Sequence, residues 1–150
     1  MKNIKLYNYF RSSASYRVRI ALHLKKIDFE YVAIHLINNG GEQNSTNYRK
    51  INPIGAVTTL AIDEKTISQS LAIIEFLEET FPNTHPLFPK DPYVKAKVRQ
   101  VCENINADIQ PLQNLKVTQY LENQLHLKEE QKNAWLQKWI TEGLNATENI

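Results

Sequence analysis

A single cysteine, Cys102, is all that the 150 residues carry, so an internal disulfide, a CxxC redox pair and a zinc site built on paired cysteines are excluded. Charge of one sign is also lacking. Eighteen Lys and Arg face sixteen Asp and Glu for a formal net charge of +2, and the basic residues are dispersed among acidic ones, which argues against nucleic acid or a membrane surface as partner. No apolar run is long enough to span a bilayer. The opening MKNIKLYNYF lacks the apolar stretch and small-residue cleavage site of a secretory leader. A cytoplasmic protein is therefore expected, and the triplets Asn44-Ser45-Thr46 and Asn145-Ala146-Thr147 read as chance matches to a glycosylation signal. Glycine and proline are few, no repeat or low-complexity tract occurs, and 42% of residues are hydrophobic against 23% charged. Such a chain has material for one ordinary domain or two small ones.

What is present falls into two halves. Ile4 to Asn8 alternates weakly and reads as a strand, followed by a helix to about Lys26 and a second strand from Phe29 to Leu36, rich in aromatic and β-branched residues. The pair Asn38-Asn39 with Gly40 and Gly41 opens a polar loop, within which Ser45 to Lys50 reads as a short helix. Val57 to Ile62 and Thr66 to Ser68 flank a turn at Asp63-Glu64. Ser70 is the expected cap of the next helix, whose apolar stripe is Leu71, Ile74, Leu77 and Phe81. Prolines at 82, 86 and 89 then interrupt the pattern. Beyond Asp91 the strand signal vanishes: Val94, Val98, Val101, Ile105 and Ile109 recur at helical spacing until Pro111, and a second helix is expected from about Glu129, with Trp135, Leu136, Trp139, Ile140 and Leu144 apolar. The order β-α-β, loop, β-β-α, linker, helices predicts a small mixed sheet followed by a helical domain.

The stretch RSSASYRVRIAL at residues 11–22 carries most of the chemistry. Ser12 and Ser13 are residue types that cap a helix start, and a helix N-terminus with its unpaired N–H groups also holds an anion or a thiolate. A capped surface helix with solvated arginines accounts for the same residues. Four scattered histidines, among them His23 and His35, suggest no catalytic role.

SSASYRVRIAL at Ser12 to Leu22, the NP and V-x-TL elements between Asn52 and Leu60, QSLAIIEFLEE at Gln69 to Glu79, and IQPLQNL at Ile109 to Leu115 together resemble the zeta class of glutathione transferases over essentially the whole chain. The resemblance implies an α/β thioredoxin-like, glutathione-binding domain over residues 1–84 and a partial all-α domain over 90–150, with an incomplete C-terminal bundle. It also implies glutathione as cofactor, an unsaturated diacid as substrate, a homodimer, and cis–trans isomerisation of maleylacetoacetate to fumarylacetoacetate in tyrosine breakdown.

In that reading Ser12, then Ser13, donates to the glutathione sulfur. A free thiol ionises near pH 8.5, and lowering that by two units corresponds to roughly 2.7 kcal/mol. Arg17 and Arg11 are candidates for favourable charge, a solvated arginine being the plain alternative. Gln69 and Ser70 match the pair that holds the γ-glutamyl group, Val57 the backbone that pairs with the cysteinyl edge, and Gln43 the residue at the glycine end. Gln110, Asn114 and Lys116 match pocket residues of the helical domain.

The chain departs from the family pattern at Ala14, where a cysteine is usual, and at Thr58, where a proline follows the valine in a cis bond. A trans Val57-Thr58 bond is expected, because cis costs about 2.5–4 kcal/mol before a residue other than proline. Two functions follow: a glutathione-dependent isomerase, or a non-catalytic glutathione-binding or dimerising remnant. A thioredoxin-like redox protein is disfavoured by the missing cysteine pair.

Overall fold

The computed structural model describes residues 3–150, and these divide into two compact units at Leu87/Phe88. In the first unit β1 (Ile4–Asn8) leads to α1 (Ser13–Leu24), β2 (Glu30–Ala33), α2 (Thr46–Ile51), β3 (Thr59–Ile62), β4 (Lys65–Ser68) and α3 (Ser70–Thr80). The sheet order is β2-β1-β3-β4, with β1 parallel to β2 and antiparallel to β3, and β3 antiparallel to β4. A parallel pair needs a crossover, and α1 supplies it.

Period-two burial in β1 turns Ile4, Leu6 and Asn8 inward. Ile4 and Leu6 join Leu60 and Ile62 of β3, Val18, Ala21 and Leu22 of α1, and Ile73 and Leu77 of α3 in one core. Full burial of each Val, Leu or Ile side chain among them contributes about 1.5–3 kcal/mol. Tyr7, of the opposite parity, meets the ring of Tyr48 in α2 edge-on. The second strand is shorter than the sequence suggests: only Glu30–Ala33 pairs with β1. On α3 the fully buried positions are Ile73 and Leu77, with Leu71 and Ile74 half-buried. The apolar face of that helix is broad, and its core-facing line is set by packing.

A buried cation closes this unit. Lys25 follows the end of α1 with its side chain 1% exposed, and its Nζ lies 2.6 Å from Glu78 Oε2 in α3. The ammonium also donates to Thr84 Oγ1 at 3.0 Å and to the Phe81 carbonyl at 3.4 Å, so its three hydrogens have three acceptors. Glu78 in turn accepts from the Leu87 amide. Removing one member of a buried pair strands the other. Lys25→Met is expected to lower the unfolding free energy by about 3 kcal/mol, the low end for buried pairs because Glu78 keeps some solvent. An unchanged urea midpoint would count against this assignment.

The second unit contains α4 (Pro92–Glu103), a π-helical turn (Asn104–Ile109), α5 (Gln110–Gln113), α6 (Leu115–Asn123) and α7 (Glu129–Glu148). Asp91 caps α4 by accepting from the Val94 amide at 2.8 Å, with Pro92 in the first turn. The single helix expected as far as Pro111 is instead widened before that proline, which has no N–H to continue the ladder. Trp135 of α7 donates to the Leu112 carbonyl at 2.8 Å and meets Trp139 edge-on. Asn104 donates to the Gly143 carbonyl at 3.2 Å. No helix among the described residues is long and apolar enough to cross a membrane.

Two local expectations are corrected. The Val57-Thr58 bond is cis, against the expected trans. Thr58 is buried there, and its hydroxyl donates to the Tyr7 carbonyl of β1 at 3.2 Å, an anchor that a proline could not supply. Ser70 is not the cap of α3: Gln69 occupies the cap position, without a side-chain cap bond, and Ser70 is the first helical residue.

Candidate functional site

Sheet register gathers the candidate residues of the first unit at one end. Asn8 pairs with Ala33, Tyr7 with Thr59 and Thr59 with Ser68. The β1–α1 turn, the loop leaving β2, the entry to β3 and the exit of β4 therefore all meet at this end. Ser12, Gln43, Val57, Gln69 and Ser70 lie on those four connections.

Ser12 is the N-cap of α1. Its hydroxyl oxygen accepts from the Ser15 amide at 3.2 Å, which leaves the hydroxyl hydrogen available to a ligand. Ser13 is the exposed first residue of the helix, and Arg17 is half-buried in it. The arginine that fixes the turn is one that sequence reasoning missed. Arg19 donates to Asn8 Oδ1 at 2.8 Å, and more weakly to the Tyr9 and Phe10 carbonyls at 3.4 and 3.3 Å. Buried Ser15 accepts from the Tyr9 amide at 3.4 Å and braces the same turn. Ala14 is buried, so its place is a packing position.

Val57 precedes β3 and lies outside its ladder, so its backbone edge is presented by the loop that carries it. That loop is held from behind. Tyr48 Oη and Asn52 Nδ2 both donate to the Ala56 carbonyl at 2.8 Å, both lie 3.1 Å from Thr59 Oγ1, and Asn52 Oδ1 accepts from the Ile54 amide at 3.1 Å. Burial pushes the Tyr48 phenol up from its ordinary value, which keeps it a neutral donor. Sequence reasoning singles out neither residue beyond the NP element that contains Asn52.

Two buried polar atoms at this end of the sheet have no partner among the described residues: Ser70 Oγ and Gln43 Oε1. Such atoms are uncommon, and each carries an uncompensated desolvation cost. Gln69, beside Ser70, has φ +73°, a left-handed conformation that a glutamine rarely adopts. Gln43 spends one Nε2 hydrogen on the Leu36 carbonyl at 3.2 Å.

The remaining candidates lie in the second unit. Gln110 opens α5 and is half-buried. Asn114 caps α6, its Oδ1 accepting from the Lys116 amide at 3.2 Å.

Comparison with known proteins identifies the family of this fold. The family described as "Glutathione S-transferase, N-terminal domain" matches residues 6–85. The maleylacetoacetate isomerase of Dictyostelium discoideum is 50% identical over 145 residues, which are 97% of this chain and 65% of that protein. A solved holo structure of a maleyl pyruvate isomerase, described as a bacterial glutathione S-transferase of the zeta class, has a TM-score of 0.89 at 38% identity, covering 95% of this chain and 66% of the other. A maleylacetoacetate isomerase from Anaeromyxobacter dehalogenans 2CP-1 with GSH bound in its active site has a TM-score of 0.83 at 35% identity, covering 99% of this chain and 68% of the other. This chain thus spans a little under two thirds of the length of the curated relative it matches.

Proposed function

The chain belongs to the zeta class of the glutathione S-transferase family, and on that premise we propose that it binds glutathione at the described end of the sheet and isomerises maleylacetoacetate to fumarylacetoacetate. The observation that carries the proposal is the pair of partnerless buried atoms, Ser70 Oγ and Gln43 Oε1, on connections that leave the same sheet end as Ser12. A peptide with a carboxylate at each end and amide groups between them fits those donors and acceptors. Ser70 would hold the γ-glutamyl carboxylate, helped by the first amides of α3. Gln43 would accept an N–H through Oε1 and donate its remaining Nε2 hydrogen at the glycine end. Val57 would pair through its backbone, as an added strand does.

Bound glutathione would supply the thiolate nucleophile that reversible addition to the double bond of the diacid requires. The chain's own part is to ionise and orient that sulfur. Ser12 would donate its free hydroxyl hydrogen to it, at the positive end of the α1 dipole. Ser13 and Arg17 remain secondary candidates, Arg17 as a source of positive charge. Arg19, engaged with Asn8 and the Tyr9–Phe10 carbonyls, keeps the turn in place. For Gln110 and Asn114 the support is the motif resemblance alone, and Asn114 is already engaged as a cap.

The proposal places the reaction in tyrosine breakdown, in the cytoplasm, and in a homodimer, as the family resemblance implies. Sedimentation at tens of micromolar protein, roughly the range in which a weak interface reveals itself, is expected to give a dimer. Catalytic function is tested by following maleylacetoacetate conversion with and without glutathione, beside calorimetric binding of glutathione. Glutathione-dependent turnover is expected. Binding without turnover would leave the non-catalytic remnant, and absence of both would remove the proposal.

A further inference from the structure

Gln43 does not hold its conformation alone. It follows a loop that is closed by His35 and Glu42 in two directions: the His35 amide donates to Glu42 Oε2 at 2.6 Å, and the Glu42 amide donates to the His35 carbonyl at 2.8 Å. Inside the loop, His35 Nδ1 accepts from the amides of Ile37 and Asn38 at 3.2 and 2.9 Å. These two bonds turn the chain just beyond Leu36, whose carbonyl is the acceptor for Gln43 Nε2. The imidazole also rests edge-on against Tyr9, at 5.1 Å between ring centroids. Gly41, at φ +91°, completes the arrangement: a Cβ there would collide with the Gln43 amide, which lies folded over it. His35 thus fixes Leu36, Leu36 fixes the Gln43 amide, and the amide leaves Oε1 buried and without a partner among the described residues.

We propose that His35 is a positioning residue for glutathione binding, acting through Leu36 and Gln43 to hold the Gln43 amide ready for the glycine end of the tripeptide. This rests on the assignment of Gln43 to that end. The energetic logic is preorganisation: a polar group aimed before the ligand arrives spares the ordering cost at binding. What His35 contributes is an acceptor at the δ position, and no proton transfer is involved. Asparagine offers an acceptor, Oδ1, at the same distance from the backbone, and asparagine side chains commonly accept from amides two and three residues on. His35→Asn should therefore substitute, whereas His35→Ala should not.

The test is calorimetric titration of the full chain with glutathione, using wild type, His35→Ala, His35→Asn, Gln43→Ala and the double variant His35→Ala/Gln43→Ala. Losing preorganised hydrogen bonds of ordinary neutral strength should weaken binding about five- to tenfold in His35→Ala. His35→Asn should stay within about twofold of wild type. In the Gln43→Ala background, His35→Ala should add almost nothing, because the residue through which it acts is gone. The ultraviolet titration of the bound thiol should be the same in wild type and His35→Ala. Wild type that fails to bind glutathione overturns the functional reading and this inference with it. Wild type that binds, with Asn as damaging as Ala or with the two Ala effects fully additive, overturns the inference alone. A thiol titration that moves in His35→Ala also overturns it, by pointing to Tyr9 and the serine turn as the route. Should His35→Ala misfold, His35→Asn and Glu42→Ala decide: the first must keep the affinity, and the second must lose it by opening the same loop.

Discussion

Ser70→Ala is expected to make the free protein more stable and its complex with glutathione weaker. The Ser70 hydroxyl is buried, with the residue 2% exposed, and its oxygen has no partner among the described residues. Leaving such a group unsatisfied costs about 1–3 kcal/mol, so deleting it should raise the unfolding free energy by about 1 kcal/mol once the small loss of packing is deducted. If the hydroxyl donates to the γ-glutamyl carboxylate, the same deletion removes a charge-assisted bond contributing about 1.5–3 kcal/mol, and the dissociation constant should rise about 10- to 100-fold.

The two effects oppose each other in a single thermal melt. At a glutathione concentration about 100 times the wild-type dissociation constant, wild type gains about 2.7 kcal/mol from binding. A variant weakened about thirtyfold gains only about 0.9 kcal/mol, so its advantage of about 1 kcal/mol is overtaken. The order of melting temperatures should therefore reverse on adding ligand. A variant that is less stable without ligand and unchanged with it would mean that Ser70 is an ordinary first-turn residue.

The sequence carries part of this site openly and hides the rest for definable reasons. Ser12 is legible because a serine immediately before an apolar helical period marks a helix start, and it does cap α1. The arginine that supports the turn is less legible. Arg17 and Arg19 stand two positions apart on a helix, about 200° around it, and only the path of the Tyr9–Phe10 backbone decides that Arg19 faces the turn. Gln69 has no marker of its left-handed φ in its chemistry, which is why Ser70 looks like the cap. The brace behind Val57 joins Tyr48 and Asn52, one turn apart at the end of α2, to Thr59 of β3, and no local period connects that helix end to the strand. In the second unit α6 gives little signal because LKVTQYLEN is mixed in polarity and follows Pro111 closely, whereas the long α7 from Glu129 is plain from its tryptophan spacing.

Replacing Ser12 should separate capping from chemistry, because the residue combines the two in different atoms. Its oxygen accepts from the Ser15 amide, while its hydrogen remains for the cofactor sulfur. Ser12→Ala removes both, and should lower stability by about 1 kcal/mol as a lost cap. Ser12→Gly removes the hydroxyl as well, but glycine is tolerated at the cap position at a cost of only a few tenths of a kcal/mol. If the hydroxyl donates to the sulfur, both variants lose a bond to a charged group contributing about 1.5–3 kcal/mol, and turnover should fall by about one to two powers of ten in each. Glutathione affinity should fall less, since Ser70, Gln43 and the Val57 backbone remain. The bound thiol, followed by its ultraviolet absorbance, should ionise at higher pH in both. Loss of activity that tracks stability, severe in Ser12→Ala and slight in Ser12→Gly, would instead make the serine a cap alone, and the ionisation of the sulfur would then rest on the helix dipole and the arginines of α1.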